Sequence, residues 1–245
     1  MMKQTGKLFG IGVGPGDPDL LTLKAIKVLK RVSVVFTAAS SKNDYSLALE
    51  IARPHIPADA SVHPLAFPMT RDLATKQAAW AANADIVADY LGRGHDAAFL
   101  TLGDSLTFST FGYLLRQFRD RHPHISVETV PGITSYQASA AALNMPLVEG
   151  EESLLVLSGA EGGEHLREQR LKPDNVVFMK AYRNVPSICE ALDEAGMLAQ
   201  AAGVVSCSLP DEELIRDVTT LLNREPNYWT LIIAKKSQSN GAQED

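Results

Sequence analysis

Three short stretches combine glycine, carboxylate and hydroxyl groups in ways that suit small-molecule chemistry: Gly14-Pro-Gly-Asp17, Gly103-Asp-Ser105 and Pro131-Gly-Ile-Thr-Ser135. Each follows a compact apolar run that reads as a buried strand, which makes each a turn at a strand's carboxyl end. In a parallel sheet those ends share one edge, the edge at which open α/β sheets bind ligands. Glycine there lets backbone come close to another group. Asp104 is a candidate to bond ribose hydroxyls or to steady a developing charge, and Thr134 and Ser135 offer hydroxyls at a helix start. Each has a plainer role too, Asp104 as a helix cap and Thr134 or Ser135 as an N-cap. Three such turns on one edge favour a ligand.

The first turn is not a dinucleotide fingerprint. Gly10-x-Gly12 puts Pro15 where the third glycine belongs, and Gly12-x-Gly14 puts Asp17 there. A loop carboxylate is also a poor companion for a pyrophosphate. The strand expected next ends in Phe36-Thr-Ala38, without the acid that holds a nicotinamide ribose. A nucleotide-binding oxidoreductase is therefore disfavoured, and it stands with a non-catalytic ligand-binding module as the alternative from another class.

Other chemistry-bearing residues point less sharply. His122-Pro-His124 fits a loop, with no carboxylate or cysteine beside it in the sequence, and no metal site is expected. Ser105, Ser109 and the scattered histidines form no nucleophile elbow. Lys180 and Arg183 follow an apolar strand, where long cations either reach solvent or meet a substrate carboxylate. Cys189 and Cys207 lack CxxC spacing, so a disulfide framework is not expected and a reducing cytoplasm is the default.

The elements that must position these residues come from hydrophobic period. A strand over 7–13, a helix over 20–31 capped by Asp17 or Asp19, and a strand over 32–36 make a strand–helix–strand unit and predict a parallel sheet. A short helix over 45–52, an edge-like strand over 61–65 and an alanine-rich helix over 72–91 follow. Then come a strand at 97–102, a helix at 110–119, a strand at 125–130 and a helix at 133–143. The second half shows strands at 154–157, 176–179, 203–206 and 228–234, with helices at 185–195 and 212–222. These patterns suggest an N-terminal α/β domain over 1–130, a C-terminal α/β domain over 131–236 and a disordered polar tail over 237–245. The chain has 245 residues, enough for two cores. Its net charge of −6 argues against nucleic acid as the main partner. No apolar run approaches the ~18–20 residues of a spanning helix, so no membrane partner is expected. Residues 1–43 are locally basic, with seven Lys/Arg against Asp17 and Asp19, which reads as a solvated face or as a greeting for an acidic ligand.

Several segments, in this order, resemble the tetrapyrrole (corrin/porphyrin) methylase superfamily. They are Gly10-Ile-Gly-Val-Gly-Pro-Gly-Asp-Pro-Asp-Leu-Leu-Thr-Leu-Lys-Ala25, Ala98-Phe-Leu-Thr-Leu-Gly-Asp-Ser105, Phe108-Ser-Thr-Phe111, Val130-Pro-Gly-Ile-Thr-Ser135 and Asn144-Met-Pro-Leu-Val-Glu-Gly150. Phe67-Pro-Met69 and Asn175-Val-Val-Phe-Met-Lys-Ala-Tyr-Arg183 are similar to the branch that methylates C-20 of precorrin-2 or cobalt-factor II in cobalamin biosynthesis. The resemblance implies two α/β domains, the first with a parallel sheet and the second with a mixed one. It also implies S-adenosyl-L-methionine folded into a cleft between them, and a homodimer. By position it implies a cofactor shell of Pro15, Leu102, Gly103, Asp104, Thr107, Thr134 and Ser135, joined by Met179, Tyr182, Ser206 and Thr230. It places Asp104 near the transferred methyl. Asp17, Lys42, Arg71, Lys180 and Arg183 are the corresponding candidates for substrate contact, the four cations pairing with the carboxylates of the tetrapyrrole rim. Ser105 stands where the family has proline after Gly-Asp, which puts the contact of Thr107 in question. Alternatives inside the superfamily are methylation of another ring carbon, diphthamide formation on a protein, or ribose methylation of ribosomal RNA.

Overall fold

A computed structural model describes residues 5–39 and 46–236, which form two compact units, one ending at Thr134 and the other starting at Ser135. Lys42 and the 237–245 tail lie outside the described residues. Among the described residues no helix is long and apolar enough to cross a membrane.

The first unit is a five-stranded sheet of β1 (Leu8–Gly12), β2 (Val34–Ala39), β3 (Ser61–Ala66), β4 (Ala97–Thr101) and β5 (Val127–Val130). The strand order is β3-β2-β4-β1-β5 and all pairings are parallel. Parallel strands are buried on both faces, which is why β1 and β4 read as unbroken apolar runs. Phe9, Ile11, Ala98 and Leu100 point to one cluster with α1 (Leu23–Leu29) and α2 (Leu47–Ala52). Leu8, Phe36, Ala97 and Phe99 point to the other, packed by α3 (Leu73–Gly92) and α4 (Phe111–Arg121). Gly10 lies on that second face. A Cβ there would sit 2.1 Å from the Phe111 ring, so glycine is what lets α4 close on the sheet.

Local signals set the element ends. Asp17 accepts from the Asp19 N–H and caps a short 3-10 turn, Pro18–Leu20. The single helix expected over 20–31 is therefore broken: α1 starts at Leu23 with Thr22 Oγ1 accepting from the Ala25 N–H at 3.2 Å. Asp72 caps α3 through the Thr75 N–H at 2.9 Å. Part of the basic N-terminal charge is structural, a reading the sequence did not offer. Lys7 and Lys24 lie 2.5 and 2.7 Å from Glu128 on edge strand β5. Hydrogen bonds from Lys24 and Lys7 hold the Glu128 carboxyl down to about 2. Its contribution is present above the ordinary carboxylate range and is lost as pH falls toward that value. His122, expected without a carboxylate, bonds Asp85 of α3 at 2.9 Å, and Arg121 reaches the same acid at 2.7 Å. Those two bonds hold the Asp85 carboxyl below its usual range. No group of three or more His, Cys, Asp or Glu side chains among the described residues is arranged to hold a metal.

The second unit opens with α5 (Ser135–Leu143) and builds a mixed sheet of β6 (Leu154–Ser158), β7 (Asn175–Met179), β8 (Ala201–Val205), β9 (Glu213–Ile215) and β10 (Leu231–Lys235). Its order is β6-β7-β10-β8-β9, with β6 and β7 parallel and the other pairs antiparallel. The short α6 (Glu164–Arg167) and α7 (Val185–Glu194) cover one face, and α5 packs on β10 at the other. The helix expected over 212–222 is instead β9 followed by a 3-10 turn, Val218–Asn223, capped by Asp217. Pairing of Glu213–Ile215 against Val205–Gly203 overrides the local helical pattern. The strand expected from Tyr228 starts only at Leu231. Asn227 holds residues 228–230 in a turn, its side chain accepting from the Trp229 N–H at 2.8 Å and its carbonyl from the Thr230 N–H at 3.0 Å.

Gly10→Ala is expected to lower the free energy of unfolding by about 2–3 kcal/mol, because the Phe111 ring must shift. Combining it with Phe111→Leu should recover part of that loss. Equal unfolding midpoints for Gly10→Ala and the parent would show that α4 is not held as described.

Candidate functional site

Because β4, β1 and β5 are neighbours, the three glycine-bearing turns leave the same edge side by side. They touch through backbone. Gly14 N–H donates to the Gly103 carbonyl at 3.2 Å, and Gly103 N–H donates back to Gly14 at 2.7 Å. Gly103 has φ +71°, a conformation that favours glycine. A Cβ on Gly12 would lie 2.6 Å from the Gly103 carbonyl oxygen and 2.6 Å from the Gly132 nitrogen. A Cβ on Gly132 would lie 2.2 Å from the Gly103 oxygen. The glycines at 12, 103 and 132 thus serve first to let three turns interlock.

Asp104 and Ser105 fasten this contact from the β4 side. Asp104 Oδ1 accepts from the Leu106 N–H at 2.9 Å and from the Thr107 hydroxyl at 3.2 Å, while Oδ2 accepts from the Gly132 N–H at 3.2 Å. The carboxylate is a brace between the turn after β4 and the turn after β5. Ser105 is fully buried and donates to the Val130 carbonyl at 3.4 Å, a bond that proline could not make. Thr134 is buried directly before α5, and Ser135 is the first residue of that helix. Pro15 is buried and Leu102 half-buried beside the same turns. Sequence reasoning passed over Thr101, the last residue of β4, whose buried hydroxyl has no hydrogen-bond partner. A buried hydroxyl without a partner is uncommon in folded proteins.

In the second unit the antiparallel entry of β10 brings two sequence candidates together. Ala181 N–H donates to the Thr230 carbonyl at 2.9 Å, which joins the turn after β7 to the start of β10. Tyr182 and Thr230 are walls of one cavity of about 180 Å³, whose lining also includes Val185, Val205, Leu221, Asn227 and the charged Glu213, Arg224 and Glu225. Met179 is paired with Leu231, the next residue after Thr230. Ser206 follows Val205 with φ +51° and donates to Asp211 at 2.9 Å. Sequence reasoning missed Val205, Asn227 and the Glu213–Arg224 ion pair of this cavity, which carry no recognisable motif. Burial pushes both Cys189 and Cys207 thiols up, so neither is poised as a nucleophile.

The substrate candidates scatter more widely. Lys180 (φ +59°) sits over Tyr228, and Arg183 over Tyr182, with cation-to-ring distances of 5.9 and 5.0 Å. Asp17 is exposed and occupied as a cap, and Arg71 is exposed in the turn before α3. Lys42 lies outside the described residues.

A family model described as tetrapyrrole (corrin/porphyrin) methylases matches residues 7–222. The cobalt-precorrin-2 C(20)-methyltransferase of Salmonella typhimurium is 33% identical over 232 residues, covering 94% of this chain and 97% of that protein. The precorrin-2 C(20)-methyltransferase of a Sinorhizobium species is 33% identical over 239 residues, covering 93% and 94%. Among solved structures, a cobalt precorrin-4 methyltransferase superposes with a TM-score of 0.68 at 20% identity, covering 94% of each chain. A uroporphyrin-III C-methyltransferase from Thermus thermophilus, complexed with S-adenosylhomocysteine, gives 0.63 at 23% identity, covering 94% and 97%. These two likenesses are of fold.

Asp104→Ala is expected to cost about 1–3 kcal/mol in unfolding free energy, since the buried side of its network loses its acceptor. A brace should lose stability and ligand affinity together. A variant of unchanged stability that has lost all turnover would instead assign Asp104 to the chemical step.

Proposed function

This chain belongs to the tetrapyrrole (corrin/porphyrin) methylases, and from that premise we propose that it transfers a methyl group from S-adenosylmethionine to C-20 of precorrin-2 or cobalt-factor II in cobalamin biosynthesis. The observation that carries the reading is identity to C(20)-methyltransferases over nearly the whole chain. The geometry supports it. The cavity of about 180 Å³ beside Tyr182 and Thr230 has the scale of a purine ring and mixes aliphatic walls with Thr and Asn polar groups and the charged Glu213, Arg224 and Glu225.

The bound donor supplies a methyl already activated on a sulfonium sulfur. The protein's task is alignment, which can account for roughly 7–11 kcal/mol of barrier lowering. Asp104 holds the turn after β4 against the turn after β5 through its bond from Gly132, and Gly103, Asp104 and Thr134 are proposed donor contacts there. Pro15, Leu102 and Thr107 complete that proposed set, and Ser135 is a proposed contact at the start of the second unit. Met179, Tyr182, Ser206 and Thr230 are the proposed contacts of the second unit. No protein nucleophile is required, in keeping with the raised thiols. Lys180 and Arg183 are the proposed partners of substrate carboxylates, and Asp17, Lys42 and Arg71 are further proposed substrate contacts. A homodimer, resting on the family resemblance, and a cytoplasmic setting, resting on the two cysteines without CxxC spacing, belong to the same proposal.

Incubation with methyl-labelled S-adenosylmethionine and precorrin-2, metal-free and cobalt-loaded in parallel, tests the reading. One labelled methyl at C-20 of at least one form is expected, and the preferred form separates late from early cobalt insertion. Label at another ring carbon, or donor binding without transfer to either form, would contradict it.

A further inference from the structure

The second unit carries an aromatic and cationic surface that the donor-binding residues do not explain. Tyr228 and Trp229 are 44% and 42% exposed, although both are large apolar side chains in a turn pinned at either side by Asn227 and Thr230. Tyr182 meets Tyr228 edge-on at 5.3 Å, and Tyr228 meets Trp229 edge-on at 5.2 Å. Lys180 and Arg183 stand over the Tyr228 and Tyr182 rings. The contrast with the first unit's aromatic pair is informative. Trp80 and Tyr113 stack face to face at 4.2 Å and 3°, which uses up a face of each ring. Among the described residues the Trp229 ring contacts one other ring, Tyr228, and does so edge to face.

The surface adjoins the purine-sized cavity, since Tyr182, Asn227 and Thr230 line the cavity and flank the exposed pair in space or in sequence. Lys180 is held at positive φ, a conformation that costs a non-glycine residue free energy and tends to persist where function needs it. Rigid aromatic faces bordered by two cations are complementary to a broad, conjugated ring system with carboxylates on its rim. A net charge of −6 weighs against a nucleic acid strand, the other ligand that aromatic platforms take.

We infer that Tyr228 and Trp229 are the stacking half of the tetrapyrrole-binding surface, with Lys180 and Arg183 as its carboxylate-binding half. The inference rests on the proposed methyltransferase reading and adds residues that the family resemblance did not assign. Trp229 gives it a direct readout, because Trp80 is the chain's other tryptophan and lies outside the proposed site. In a Trp80→Phe background, precorrin-2 should quench Trp229 fluorescence, and S-adenosylhomocysteine alone should leave it largely unchanged. Trp229→Ala should weaken precorrin-2 binding about tenfold while S-adenosylhomocysteine affinity stays within twofold, which also certifies the fold. Trp229→Phe should recover most of the affinity.

Unaltered precorrin-2 affinity in Trp229→Ala, with methyl transfer intact, would overturn the inference and leave the methyltransferase reading standing. Loss of self-association without loss of substrate binding would overturn it too, by assigning the pair to a subunit contact. So would equal competition by a single-stranded oligonucleotide. Absence of precorrin-2 binding to the parent protein would bring down both readings.

Discussion

The first unit depends on backbone touching backbone at Gly12, Gly103 and Gly132. Side chains cannot stand in that contact, since a Cβ on Gly132 would come within 2.2 Å of the Gly103 oxygen. The parallel order of β4, β1 and β5 places the three turns next to one another, and the missing side chains let them close. Ordering three glycines carries a conformational entropy cost. The mutual Gly14–Gly103 bonds, the Asp104 brace and the buried Ser105 bond offset it locally. The result is three turns tied to one another by backbone and side-chain hydrogen bonds.

The second unit reaches a comparable end by a different route. Its central strand, β10, runs antiparallel between β7 and β8, so the start of β10 lies beside the end of β7. That is how Thr230, Ala181 and Tyr182 come to surround one cavity although 48 positions separate Tyr182 from Thr230 in the numbering. Non-glycine residues at positive φ, Lys180 and Ser206, flank this region. Strained backbone is kept where surrounding contacts fix it, here the Ala181–Thr230 and Ser206–Asp211 bonds.

Much of this was legible from the chain alone where the signal was local. Buried parallel strands announce themselves as apolar runs, and the glycine turns that end them mark one sheet edge. The turns' convergence followed from parallel topology without any coordinates. What stayed hidden depends on partners distant in sequence. The break before α1 is a local exception, where Asp17 caps the Pro18–Leu20 turn and Thr22 caps the helix that follows. The 212–222 segment has helical composition, and its pairing with β8 decides otherwise. Lys7 and Lys24 find Glu128, and His122 finds Asp85, across more than thirty positions. Asp104 has a bond from Gly132, 28 positions away, that no local pattern announces. Asn227 has no motif to announce that it turns the chain and exposes two aromatic rings.

The central claim is that the interlocked turns are the floor of the donor site. A crystal structure of the protein with S-adenosylhomocysteine tests it most directly. The account expects ligand atoms within hydrogen-bonding distance of backbone in the Leu102–Ser105 turn, with the Asp104–Gly132 bond intact. Ligand bound elsewhere, leaving that turn and Thr101 uncontacted, would contradict it.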